Sequence, residues 1–278
     1  MLEGLSWQNI LAVLALTTFA GLATGVGGAI GFFVKKTNIR LLTFLLGLSA
    51  GVMVYISFVE LLASAQETLS EDYGKFNGHL IGLASFSGGM LIAMLIDRLI
   101  PESENPHEAH GAEELHVPVK APANDAASAA KMRRSGLLFA LAIGVHNFPE
   151  GMATFAAGIN SLTLGIPIAI AVALHNIPEG ITVSVPIYHA TGSRKKAFLY
   201  SVFSGLAEPV GAGIAMLVLY PFLSETLLSI LFASVAGTMV FIAFDELLPM
   251  AERWGFHHIS IYGIITGMLL MGFTLAVI

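Results

Sequence analysis

Residues 146–151 read HNFPEG and residues 175–180 read HNIPEG, so one six-residue pattern occurs twice in a short stretch of the chain. Each copy lies near the middle of a long apolar segment. In each copy a glutamate follows a histidine by four positions, with an asparagine directly after the histidine. Positions i and i+4 project from one face of a helix. The pattern therefore predicts two helices that each present an imidazole and a carboxylate on one face, with an amide on its flank.

The remaining sequence is apolar enough to place these helices in a membrane. Of 278 residues, 55% are hydrophobic and 12% are charged, whereas soluble domains contain about 25% charged residues. About 20 residues span a bilayer core, and eight apolar stretches can be marked, at 8–34, 41–65, 76–99, 136–157, 164–187, 196–220, 226–250 and 259–278. The sequence predicts an all-α polytopic membrane protein, with eight transmembrane helices in a single domain over residues 1–278.

Cysteine content and charge exclude several kinds of site and partner. The chain has no cysteine, which excludes disulfides, iron–sulfur clusters and thiolate metal sites. Its net charge of −6 gives no attraction to nucleic acid.

The basic residues predict the orientation in the membrane. Of the 13 basic residues, only Lys75 lies outside the segments that join helices 1–2, 3–4, 5–6 and 7–8. Because basic residues stay cytoplasmic, we expect both termini to lie outside the cytoplasm. We also expect a multi-pass protein of the inner (cytoplasmic) membrane.

The longest interruption between apolar stretches is 100–135. It is rich in proline, alanine and carboxylates, and it carries His107, His110 and His116. This composition predicts a flexible cytoplasmic loop between helices 3 and 4. Its histidines could bind metal loosely, or the segment could be a solubilising linker, and the sequence leaves both interpretations open.

A second repeat indicates how the helices are arranged. AGVMVYISFVELLASA at 50–65 aligns without gaps to AGTMVFIAFDELLPMA at 236–251, with ten of sixteen residues identical. In the topology derived from charge, helices 2 and 7 run in opposite directions. Such inverted-topology repeats are typical of secondary transporters. The halves are therefore helices 1–3 and 6–8, around a central pair formed by helices 4 and 5.

Several polar side chains are predicted at one depth in the membrane, near the midpoints of helices 4, 5 and 6. An ionised group there costs roughly 2.5–3.5 kcal/mol or more. Imidazole, carboxylate and amide groups are ligands for first-row divalent cations, and binding a cation would offset that cost. A structural hydrogen-bonded pair is the alternative for one histidine with one glutamate, but the doubled motif favours a cation site. Its predicted members are His146, Asn147, Glu150, His175, Asn176, Glu179 and Glu208.

These motifs resemble those of the ZIP (Zrt/Irt-like) family of divalent metal transporters, most closely its bacterial branch. The resemblance covers essentially the whole chain and rests on HNFPEG, HNIPEG, SGLAEP, ISFVELL, AFDELLP and the histidine-containing loop. It implies eight helices in a 3+2+3 arrangement, with a metal site between helices 4 and 5. It also implies transport into the cytoplasm. Mixed nitrogen and oxygen ligands suit zinc, iron, manganese, cobalt and cadmium, so we expect loose selectivity among these metals.

Carried over by position, the resemblance implies two metal positions. One would be bound by His146, Glu150, His175 and Glu179, and a second by Asn147, Asn176 and Glu208, with Glu150 and Glu179 bridging. Some members have an aspartate where this chain has Asn176, so the second position here has one charged ligand fewer. The one or two bound ions are transported substrate, and no resident cofactor is expected.

Further polar residues are candidates for the transport route. Glu60 lies toward the outer end of helix 2, while Asp245 and Glu246 lie toward the cytoplasmic end of helix 7. Ser57 shares the Glu60 face. The alternative is that these are helix-end residues in contact with water.

We also expect some of the central glutamates to bind protons when no metal is present, since clustered like charges in a low dielectric favour protonation. Metal release and proton uptake would then be linked.

A membrane-embedded dimetal enzyme is the alternative function. Di-iron bundles use Glu-x-x-His, whereas here histidine precedes glutamate by four positions, and the H-E-x-x-H pattern of metalloproteases is absent from the sequence. A signalling receptor would need an output domain, which the sequence does not contain.

The predicted partners are divalent metal ions and the lipid bilayer. A homodimer is compatible with the sequence, which does not fix the oligomeric state.

Overall fold

The computed structural model describes residues 7–33, 39–99, 147–159, 161–219, 222, 224–252 and 254–277. Across these ranges the regular structure is helical, without strands. We number the helices α1 (Trp7–Phe33), α2 (Ile39–Tyr73), α3 (Lys75–Leu99), α4 (147–159), α5 (Leu162–Thr191), α6 (194–219), α7 (Glu225–Glu252) and α8 (His257–Val277). The predicted loop 100–135, with its three histidines, and His146 lie outside the described residues.

Most of these helices have the length and composition of membrane spans. Within the described ranges, six are long and apolar enough to cross a membrane: α1, α2, α3, α6, α7 and α8. Helix α5 contains a shorter apolar segment, Gly165–Ile181, and α4 is described only from residue 147. The chain is therefore an all-α polytopic membrane protein, as predicted, while the number of eight spans stays a prediction.

Helix α2 is longer than its hydropathy predicts. The sequence placed its end at residue 65, but the helix continues to Tyr73. Residues 63–73 (ASAQETLSEDY) are polar, yet most of them favour helix, and they pack against α3. The turn that follows uses Gly74 at φ 78°, a left-handed conformation that favours glycine. Glu60 therefore lies well inside a helix rather than near its end.

The two copies of the α2/α7 repeat share an unusual local structure. Residues Ser57–Leu62 of α2 and Ala243–Leu247 of α7 form π-helical turns, and the sequence alignment pairs position 57 with position 243. Such turns are rare within α-helices and frequently lie at functional sites. Each contains the aligned carboxylate, Glu60 in one copy and Glu246 in the other. The repeat is thus a repeat of backbone conformation as well as of sequence.

Packing also agrees with an inverted repeat. Helix α2 of the first half packs against α8 of the second half, and α3 of the first half packs against α7 of the second. The Thr226 hydroxyl donates to Asp72 at 3.0 Å, which places the end of α2 beside the start of α7. At the opposite end, the Arg40 guanidinium lies over the Phe256 ring, 5.2 Å from its centroid. Helices α2 and α7 are therefore antiparallel, as predicted.

The helices that carry the candidate site form their own cluster. Helix α1 packs against α5 and α6, and α5 also packs against α6. The α1–α6 crossing is very close, since a Cβ atom added at Gly21 would collide with the carbonyl oxygen of Gly205, and the reverse also holds. Buried apolar side chains such as Leu46, Ile56 and Ile168 belong to the main apolar core, which joins α5 to α2 and α7. This packing fixes the position of the polar residues on α4, α5 and α6.

Candidate metal site

Three side chains of the doubled motif converge between α4 and α5. Glu150, His175 and Glu179 each offer a ligand atom, and these atoms all lie within 4.8 Å of one another. His175 Nε2 is 3.2 Å from a carboxylate oxygen of Glu150. Glu150 and His175 are 3% and 1% exposed, and Glu179 is partly buried. The predicted pairing of the two motif faces is therefore present for these residues, while His146 lies outside the described residues.

The two motif asparagines connect the central helices to their neighbours. Asn147 Nδ2 donates to the carbonyl of Ser204 on α6 at 3.3 Å, and Asn176 Nδ2 donates to the carbonyl of Ala20 on α1 at 2.8 Å. Both asparagines are fully buried. Buried amides with hydrogen-bond partners hold helices in register inside a membrane. The asparagines therefore position α4 and α5 as well as flanking the metal group.

Glu208 joins this cluster from α6. Its side chain is fully buried and accepts a hydrogen bond from Asn176. Glu150 and Glu179 are both close enough to interact with it electrostatically. Within the described ranges, the second carboxylate oxygen of Glu208 and the side-chain oxygens of Asn147 and Asn176 have no hydrogen-bond partner. Unpartnered buried oxygens are costly, and three of them in one cluster fit the donor set of a cation.

The charge of this cluster favours a cation or protons. Three carboxylates, from Glu150, Glu179 and Glu208, lie in the interior of helices. The described basic residues lie instead at helix ends, at positions 40, 75, 98 and 194–196. Buried charges need compensation. Imidazole nitrogen together with carboxylate and amide oxygens suits zinc and other first-row divalent ions.

The predicted route residues lie in different environments. Glu246 is buried, at 3% exposure, and close enough to Glu179 for their charges to interact. Glu60 is partly exposed, and Asp245 lies on the exposed side of α7. The Ser57 hydroxyl donates to the Met53 carbonyl of its own helix at 2.7 Å. Of the four, Glu246 is thus the carboxylate that is buried and interacts electrostatically with a central glutamate.

Two serines outside the predicted site contact the motif backbone. The Ser49 hydroxyl on α2 donates to the carbonyl of His175 at 3.4 Å, and the Ser201 hydroxyl on α6 donates to the carbonyl of Gly180 at 3.0 Å. Both serines are buried. Isolated serines in apolar helices follow no motif, so only the three-dimensional structure relates them to the site.

Comparison with known proteins places the chain among metal transporters. The family model described as "ZIP Zinc transporter" matches residues 97–275. A zinc transporter named ZupT from Akkermansia muciniphila is 65% identical over 271 residues, which cover 98% of this chain and 99% of that protein. Proteins of the same name from Lysinibacillus sphaericus and Nitratidesulfovibrio vulgaris are 52% and 50% identical, over 97% and 96% of this chain and 98% and 97% of theirs.

Proposed function

The chain belongs to the ZIP family of zinc transporters, and on that premise we propose that it carries zinc into the cytoplasm through the site between α4 and α5. As a family member it is a transporter of divalent metal cations and not an enzyme. The enzyme alternative finds no support among its relatives. The proposal concerns the residues that hold the ion, the direction of transport and the coupling to protons.

The observation that carries the proposal is the convergence of Glu150, His175 and Glu179. These residues come from two adjacent helices, and each offers a group that binds zinc at neutral pH. His146, four positions before Glu150 on the same predicted helix face, would complete a four-ligand set. Asn147, Asn176 and Glu208 supply oxygens for a second ion next to the first, with Glu150 and Glu179 bridging the two.

The ligand chemistry supports a broad set of substrates. Mixed nitrogen and oxygen ligands suit zinc, iron, manganese, cobalt and cadmium, and the absence of thiolates disfavours a dedicated copper(I) route. Direction into the cytoplasm follows the family resemblance. We assign the protein to the inner membrane, and the distribution of basic residues predicts that both termini lie outside the cytoplasm.

Glu60 and Glu246 extend the proposed route to either side of the site. They are aligned members of the inverted repeat, and each lies in a π-helical turn. Because α2 and α7 are antiparallel, the two carboxylates lie on opposite sides of the central cluster in the topology derived from charge. A carboxylate on each side would attract a cation that enters or leaves. Ser57 and Asp245 are the weaker members of this route.

Zinc uptake by cells that express site variants tests the proposal. Glu150→Ala and Glu179→Ala each remove a negatively charged ligand, so we expect uptake to fall at least tenfold, in line with the loss of a metal ligand or of its immediate support. Glu225→Ala is the matched control, because Glu225 is an exposed glutamate in the first turn of α7. Wild-type uptake by both site variants would contradict the proposal.

Proton coupling requires a separate measurement. If protons replace the metal on the central carboxylates, zinc flux into liposomes that contain the purified protein should move protons in the opposite direction. A pH-sensitive dye inside the liposomes should report this change, and an imposed pH gradient should alter the rate of zinc flux. Zinc flux with no pH change and no response to the gradient would exclude coupling, without affecting the assignment of the ligands.

A further inference from the structure

Helices α1 and α6 carry a third internal repeat, which includes one of the site residues. FAGLATGVG at 19–27 aligns without gaps to FSGLAEPVG at 203–211, with six of nine residues identical. In this alignment Thr24 of α1 stands where α6 has Glu208. The two helices belong to opposite halves of the inverted repeat, so Thr24 is the expected counterpart of Glu208.

Contacts in the structure obey the same alignment. The motif glycine Gly180 of α5 packs on the carbonyl of Thr24, and its counterpart Gly151 of α4 packs on the carbonyl of Glu208.

The asparagine hydrogen bonds are paired in the same way. The carbonyl of Ala20 accepts from Asn176, and the carbonyl of the aligned residue Ser204 accepts from Asn147. The contacts between α1 and α5 therefore correspond to those between α6 and α4, as the inverted repeat predicts.

The hydroxyl of Thr24 differs from the other threonines of its helix. Thr17 and Thr18 donate to the carbonyls four residues earlier, at 3.0 and 2.7 Å. For Thr24 that carbonyl belongs to Ala20, which already accepts from Asn176. Thr24 is fully buried, and its hydroxyl has no hydrogen-bond partner within the described ranges. A buried hydroxyl without a partner costs free energy, and a bound ligand would remove that cost.

Thr24 lies at the helix crossing that also carries Glu208. A Cβ atom at Gly205 would lie 3.0 Å from Thr24 Cβ, and a Cβ atom at Gly21 would lie 3.4 Å from Glu208 Cβ. Thr24 and Glu208 thus flank the same α1–α6 crossing. Thr24 lies beside Gly205, and the preceding residue, Ser204, accepts the hydrogen bond from Asn147. The side-chain oxygen of Asn147 also has no partner within the described ranges.

We propose that the Thr24 hydroxyl is an additional, neutral oxygen ligand for the transported cation, on the opposite side of the crossing from Glu208. The inference rests on the proposed function, because the cation is the one held by the α4–α5 site. A glutamate at both positions would give the cluster a fourth carboxylate and bind a divalent ion more tightly. Threonine keeps an oxygen there without the charge, which favours release of the ion.

The test compares zinc uptake by Thr24→Val, Thr24→Ser and Thr17→Val across a range of zinc concentrations. Valine has the shape of threonine without the hydroxyl, and serine keeps the hydroxyl. Thr17 is the matched control, since it is equally buried in α1 but donates within its own helix. We expect Thr24→Val to raise the KM for zinc about threefold to tenfold, as for one lost neutral polar contact. Thr24→Ser and Thr17→Val should behave like wild type.

Three outcomes would overturn the inference. These are a wild-type KM for Thr24→Val, equal defects in Thr24→Val and Thr17→Val, and a defect in Thr24→Ser as large as that in Thr24→Val. Glu150→Ala, measured in parallel, separates this inference from the proposed function. If Glu150→Ala is inactive and Thr24→Val is wild type, only the Thr24 ligand is wrong. If Glu150→Ala and Glu179→Ala both transport normally, the α4–α5 site is wrong and the Thr24 ligand is wrong with it.

The double variant Thr24→Glu/Glu208→Thr tests whether the two positions are equivalent. The measurement is recovery of zinc uptake, which a change in packing alone would not produce. If the two positions are equivalent, moving the carboxylate from α6 to α1 should restore part of the uptake lost in Glu208→Thr, by at least threefold. A double variant that elutes as folded protein in size-exclusion chromatography and transports no better than Glu208→Thr would contradict the equivalence.

Discussion

Asn147 and Asn176 each donate hydrogen bonds that a carboxylate could not donate. Each amide nitrogen reaches a backbone carbonyl on a neighbouring helix, and Asn176 also donates to Glu208. The amide therefore combines two roles in one side chain. Its nitrogen donates a hydrogen bond that holds the helix against its neighbour, and its oxygen remains available to a cation. This explains how a motif with asparagine in both copies can support a metal site.

Replacing Asn176 with aspartate should separate these two roles. An ionised aspartate cannot donate to the Ala20 carbonyl and would face the Glu208 carboxylate, so we expect metal-free N176D to be less stable by about 1–3 kcal/mol. The added negative charge should strengthen binding at the second metal position. Zinc should therefore raise the midpoint of thermal unfolding more in N176D than in wild type, because ligands that bind the folded state stabilise it.

The control for this prediction is Asn77→Asp. Asn77 also donates its amide to a backbone carbonyl, that of Tyr73 at 3.3 Å, but it is exposed. We expect this variant to unfold at the wild-type midpoint and to respond to zinc as wild type does. If zinc stabilises N176D no more than wild type, residue 176 does not contribute to a second metal position.

At the scale of helices, the α1–α6 crossing depends on Gly21 and Gly205. A Cβ atom on Gly205 would collide with the carbonyl oxygen of Gly21, so Gly205→Ala must force the two helices apart. Overpacking of this kind typically costs about 1–3 kcal/mol. The shift would also displace Glu208, which follows on the same helix. We expect less folded protein in size-exclusion chromatography and reduced zinc uptake.

Gly213→Ala is the control on the same helix. A Cβ atom there would meet no heavy atom within 4 Å, and alanine is the better helix former by about 0.5–1 kcal/mol. This variant should therefore be at least as stable as wild type and should transport zinc normally. Equal behaviour of the two alanine variants would show that the close crossing is not required.

The sequence predicts most of the candidate site but not all of it. Helical spacing in the HNxPEG motif predicts one polar face on each of two helices, and the structure brings Glu150, His175 and Glu179 together between these faces. Helical spacing alone selects neither Thr24 nor Ser49. The contacts of Thr24 at the α1–α6 crossing and the hydrogen bond of Ser49 to the His175 carbonyl are visible only in the three-dimensional structure. The end of α2 was predicted too early because hydropathy marks the edge of the membrane, whereas helix propensity and packing on α3 determine the end of the helix.

For the whole molecule, the inverted repeat predicts which helix ends share a side of the membrane. The contact between Thr226 and Asp72 joins the start of α7 to the end of α2, and the contact between Arg40 and Phe256 joins the opposite ends. These contacts fix the relative sides of the ends. The absolute orientation follows from charge, since Lys75 is the basic residue predicted outside and Arg194, Lys195 and Lys196 are predicted inside.

Single cysteines test the absolute orientation directly, because the chain has no cysteine of its own. Lys75 and Lys195 are both exposed at helix starts, so replacing either with cysteine should leave the fold intact. A maleimide that cannot cross membranes should label Lys75→Cys in intact spheroplasts and should label Lys195→Cys only after the membrane is opened. Labelling of both sites in intact spheroplasts would contradict the inverted topology. The reverse pattern would keep that topology but place both termini inside, against the charge distribution.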